Sequence, residues 1–344
     1  MGPTSSRPEM QIAKQPRLAG RLYSYDVVKG FFVEVMIIYH SVGYFGGSQE
    51  FLKYIDFVTG AFVFLSGSAV THYYLKEYKE QMSLMLQRLL IRSVKLIILF
   101  TLLNTCVHLV VKKNYNGVDF ALKYFYGNLY EVFIWGSKGI AAFEILLPIA
   151  YTLAVGGILV FLVRSKALLG AVVCIVFALS FSVEDLPFNL KFLNLGLGGV
   201  IYGCLRQEGL NENTKRLLAL ITGAVVAAYM TTVTVIDQDN LVIYFVGVCS
   251  VVQCISMAAE KGIHGYGLAP VLKLFGKYSL LSYLLQILFL QCLIRLIGRE
   301  ASGIVSITAA ILSTNIFLYF ILSGVSLLRG RYQLVRVAYQ MAFA

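Results

Sequence analysis

Four ionisable residues fall in one apolar run near the N-terminus: Asp26, Lys29, Glu34 and His40. Such groups are expensive at membrane depth and usually face a bundle interior or a water-filled cavity. Lys29 and His40 are eleven positions apart, which on a helix puts them on one face, about 16 Å apart along the axis. Asp26, three residues before Lys29, is placed to pair with it. Glu34 points roughly 120° away and is expected to meet another helix. A lone helical histidine is most often a packing residue. Two polar groups on one stripe favour a lined cavity instead, and neutral imidazole is the side chain best suited to general base work near pH 7.

A second group, Arg88, Arg92 and Lys95, follows the i, i+4, i+7 pattern and shares one helix face. One reading is the basic anchor of a spanning helix. The other is a phosphate-binding stripe, which the planar fork of arginine suits.

Helices that can hold these residues must be membrane helices. The 344-residue chain is 58% hydrophobic and 14% charged, with a mean hydropathy of +0.75. Soluble domains carry about 25% charged residues. A net charge of +11 is spread over short loops between apolar runs, which fits an anionic membrane surface and argues against nucleic-acid binding. Cys106, Cys174, Cys204, Cys249, Cys254 and Cys292 all lie in apolar stretches and contain no CxxC pair, so neither a disulfide framework nor a metal site is expected.

A spanning helix needs about 20 apolar residues. By that measure an all-α, polytopic membrane protein is expected, with about ten spans, near 26–45, 55–75, 90–111, 139–163, 167–183, 189–205, 217–236, 241–259, 272–294 and 303–327. The sixth is short and rich in glycine, a pattern for close helix packing. The aromatic connection 112–138 suits the membrane interface. Lys and Arg counts in alternate loops put both termini in the cytoplasm, although Lys112, Lys113, Lys123 and Lys138 sit on the other side. Residues 1–20 read as a polar cytoplasmic tail, 21–330 as one transmembrane domain and 331–344 as a C-terminal tail.

With these residues in view, the chain resembles the transmembrane acyltransferase superfamily. It is most similar to the acyltransferase type 3 family and its relatives that succinylate periplasmic glucans. The likeness rests on YSYDVVKGFFVEVMIIYH, with Asp26, Lys29, Gly30 and His40 in place and lysine standing for the commoner arginine. It continues through FVFLSG (62–67), QRLLIRSVKL (87–96), AFEILLPIAY (142–151) and LFGKYSLLSYLLQ (274–286). The last stretch often ends in histidine in the family, and here it ends in Gln286. The order of the motifs along the chain, over about residues 21–290, carries the likeness.

The resemblance implies an O-acyltransferase with His40 as base, Asp26 and Lys29 in its catalytic group, acyl-CoA as co-substrate and no permanently bound cofactor. Arg88, Arg92 and Lys29 would hold donor phosphates, and a carbohydrate hydroxyl would be the acceptor, in one buried cavity of a plasma or inner membrane. Ser66 would donate a hydrogen bond or simply pack; Glu144 would be structural or catalytic; Gln286 would contact substrate. A multi-span transporter or flippase for a glycan or lipid-linked substrate is the alternative, and a scaffold subunit of an envelope assembly the third reading. A transporter often carries paired inverted repeats, and none is visible in the sequence.

Overall fold

The computed structural model describes residues 23–111, 126–136, 143–181, 183, 186–206, 212–232, 241–261, 268–298 and 303–343. The tail at 1–20, most of the connection at 112–138 with Lys112, Lys113, Lys123 and Lys138, and several loops that enter the charge count lie outside them. Among the described residues the fold is all-helical. Backbone amides and carbonyls in lipid have no water to bond, so each apolar run closes its hydrogen bonds within itself.

Thirteen α-helices are described. They are α1 (Tyr23–Tyr44), α2 (Gln49–Ile55), α3 (Phe57–Ala69), α4 (Met82–Val111), α5 (Leu146–Leu162), α6 (Lys166–Phe181) and α7 (Phe188–Arg206). There follow α8 (Glu212–Thr232), α9 (Leu241–Lys261), α10 (Ala269–Lys277), α11 (Ser279–Ile297), α12 (Ile304–Arg331) and α13 (Gln333–Phe343). A π-helical stretch, Val70–Leu75, prolongs α3, and a second, Glu131–Trp135, precedes α5.

Seven of these segments are long and apolar enough to cross a membrane: Ser24–Tyr44, Gln49–Leu75, Met82–Cys106, Phe188–Arg206, Val242–Ala259, Ser279–Ile297 and Ile304–Arg331. Three shorter apolar helices, Leu146–Leu162, Lys166–Ser180 and Leu220–Thr232, fall on the remaining stretches that the sequence marks as spans. The expected span 272–294 is broken at Tyr278, which separates α10 from α11. The residues 331–344, read as a tail, contain the helix α13.

The first helix runs through the centre, packed against α3, α9, α10, α11 and α12. Its closest crossing is with α10. A Cβ on Gly30 would overlap the Leu272 carbonyl, and one on Gly276 would overlap the Asp26 carbonyl, so the two backbones touch at both points. The glycine-rich α7 lies as tightly on α3, where a Cβ on Gly67 would strike the Gly196 carbonyl and one on Gly199 the Phe64 carbonyl. Small residues let membrane helices approach where apolar burial gives no drive. Thr71 fastens the same pair by donating to the Val200 carbonyl at 2.8 Å. Outward, Val305, Leu312, Ile316, Phe320 and Leu327 leave an exposed apolar stripe on α12, as a lipid-facing surface requires.

Candidate functional site

Lys29 and His40 do lie on one side of α1, but the single expected cavity is divided in two. Lys29 lines a cavity of about 90 Å³ together with Ser66, Tyr74 and Arg92. His40 lines another, of about 410 Å³, with Tyr39, Tyr44, Asp56, Thr59, Glu144 and Phe192. Ile145 and Tyr283 belong to both walls. These two side chains therefore form the partition between a cationic chamber and one that holds an imidazole and two carboxyl groups.

In the cationic chamber, the Lys29 ammonium sits over the Tyr25 ring, 4.8 Å from its centroid. Arg92 Nη1 donates to the Tyr74 hydroxyl at 2.7 Å. Tyr74 lies in the π-helical stretch after α3; the widened turn shifts the side-chain register at the point where the hydroxyl meets Arg92. Ser66 Oγ donates to the Phe62 carbonyl, four residues back, at 2.8 Å. Its hydroxyl proton is thus spent on its own helix, as polar side chains in membrane helices commonly do.

Arg88 is not among the described residues lining either cavity. It donates to the Tyr78 hydroxyl and lies 4.9 Å from that ring's centroid. Burial raises the Tyr78 phenol above its usual value, against the pull of Arg88, so it stays a neutral hydroxyl that can accept from the guanidinium. The third cation of the stripe, Lys95, donates to the Gln340 carbonyl on α13 at 3.2 Å. One helix face thus carries three cations with three different partners, and only Arg92 of them reaches the chamber.

In the larger chamber, the His40 ring stacks on Tyr44 at 5.8 Å between centroids and meets Tyr39 edge-on at 5.5 Å. Its Nε2 is buried and finds no hydrogen-bond partner among the described residues. A buried polar atom left unpaired is uncommon and calls for a partner such as water or a ligand, or for a catalytic role. Glu144 enters this chamber just ahead of α5 because Phe143 adopts a left-handed backbone, φ 59°. That conformation costs a non-glycine residue about 1–2 kcal/mol. Phe143 is held in it by burial and by an edge-on contact with Tyr283 at 6.0 Å.

Asp26 is buried beneath the α1–α10 crossing. Gln286 is fully buried on α11, with neither amide atom paired among the described residues, and it lines neither cavity. Sequence reasoning missed Tyr74 and Tyr78, the aromatic partners of the arginines, and Asp56, Ile145 and Tyr283. The spacing of Tyr74 and Tyr78, four residues apart before a run of arginines four apart, was the available signal for the first two. No family model, curated protein or solved structure matches this chain.

Proposed function

We propose that the protein is an integral membrane O-acyltransferase that moves an acetyl or succinyl group from acyl-CoA to a hydroxyl of an envelope or extracellular glycan. The observation that carries this reading is the unpaired Nε2 of His40, buried in a chamber that adjoins the Lys29–Arg92 chamber across Ile145 and Tyr283. Ten spans with both termini cytoplasmic, in a plasma or inner membrane, complete the proposal.

The donor enters from the Arg92 side, where Lys29 and Arg92 neutralise phosphate charge. Its pantetheine arm passes between Ile145 and Tyr283 when their side chains part. His40 Nε2 takes the proton of the acceptor hydroxyl, and the oxygen attacks the thioester carbonyl. The carbon–sulfur bond then breaks, and the CoA thiolate recovers the proton from the imidazolium. Asp56 and Glu144 line the acceptor side and can accept from further hydroxyls. The partition keeps water from the thioester until the acceptor is seated.

The two chambers on either side of a thin partition also fit a transporter that opens to one side at a time. Purified protein in nanodiscs, given labelled acetyl-CoA or succinyl-CoA with glycan acceptor, separates the two. Label transferred to the acceptor supports the enzyme; acceptor movement across proteoliposomes without transfer supports the carrier.

A further inference from the structure

The last helix carries a surface that the proposed chemistry does not use. α13 begins one residue after α12 ends, with only Tyr332 between them. α12 has 28 residues and is therefore about 42 Å long, against a hydrocarbon core of about 30 Å. A helix of that length outruns the core, and α13 packs beside its last turns. Tyr339 lies edge-on to Tyr278 at 5.4 Å and under the Arg329 guanidinium at 4.0 Å, while the Gln340 carbonyl accepts from Lys95. The helix is thus fixed against α4, α10 and the last turn of α12.

The face turned away from this dock is apolar. Leu334, Val337, Ala338 and Met341 are all exposed and share an arc roughly 100° wide. Leu334 is 83% exposed and Met341 65%. α10, α12 and α13 carry Lys273, Lys277, Arg329, Arg331 and Arg336 and no Asp or Glu; Arg329 lies in the dock beside Tyr339, and Arg336 falls on the side of α13 away from the stripe. A helix with an apolar face, whose other side and neighbouring helices carry cations and no carboxylates, matches one partner: a leaflet of anionic phospholipid, with acyl chains against the stripe and phosphates against the cations.

We propose that α13 is a membrane-surface helix that recognises anionic phospholipid. The proposal stands whether the protein is an enzyme or a carrier. The test is hydrogen–deuterium exchange of residues 333–343 in the full-length protein, held in nanodiscs of phosphatidylcholine or of its mixture with phosphatidylglycerol. Exchange is expected to slow about threefold or more in the anionic discs. Arg331→Gln with Arg336→Gln should erase that difference, and Leu334→Glu with Met341→Glu should give fast exchange in both lipids. Inorganic phosphate added to phosphatidylcholine discs should change nothing. Equal exchange in the two lipids would overturn the proposal, as would slowing by phosphate alone, which would mark a free-anion site.

Discussion

Arg92 donates a hydrogen bond to the Tyr74 hydroxyl at 2.7 Å, and both side chains line the chamber that Lys29 enters. A guanidinium held this way keeps its remaining N–H donors in a fixed plane, pre-set for a phosphate. Tyr74→Phe removes the anchor and leaves the ring. The KM for acyl-CoA is expected to rise about tenfold, the worth of one hydrogen bond to a charged group, with kcat little changed. Steady-state kinetics with varied donor concentration checks this. An unchanged KM would remove Tyr74 from donor binding.

The partition makes a different prediction. Tyr283→Ala and Ile145→Ala each thin the wall between the chambers. Both should increase release of free CoA in the absence of acceptor, because water then reaches a bound thioester. The wild-type protein should release little under the same conditions, and a thiol-reactive dye reads the difference.

Packing at the α1–α10 crossing has no slack. Gly30→Ala or Gly276→Ala must push two backbones apart, since the nearest atoms are carbonyls and not the ends of flexible side chains. Overpacking of this kind costs about 1–3 kcal/mol. The apparent Tm in detergent, followed by fluorescence-detected size exclusion, should fall for both variants. Gly43→Ala, where nothing lies within 4 Å, is the control and should leave it unchanged.

Gln286 gives the opposite expectation. Its amide is buried without partners among the described residues and lines neither chamber. Gln286→Met keeps the volume and removes the unpaired polar atoms. The Tm should hold or rise, and acyl transfer should stay within about twofold of wild type. A large loss of transfer at unchanged Tm would restore the substrate contact that the sequence motif implied.

What could be read from the sequence follows from local physics. Apolar runs announce helices, so the stretches at 26–45, 189–205 and 303–327 reappear as α1, α7 and α12. The glycines of α7 announced its close packing on α3. Helical periodicity placed Lys29 and His40 on one face. The partition was not legible, because Ile145 and Tyr283 are ordinary membrane residues, 138 positions apart in the chain. Nothing local marks either one as part of a wall. The break at Tyr278 was hidden for a similar reason: hydropathy runs on through it, while the backbone turns so that α10 can press on Gly30. Helix periodicity ranks Arg88 with Arg92, whereas the contact of Arg88 with Tyr78 depends on a neighbouring segment that periodicity does not describe.

The most direct measurement is single-turnover transfer of a labelled acyl group from acyl-CoA to a glycan acceptor, comparing wild type with His40→Ala in the same nanodiscs. Transfer should fall by about 10²-fold or more in His40→Ala, while the donor still binds and the protein remains folded. Transfer at the wild-type rate in His40→Ala would contradict His40 as the base.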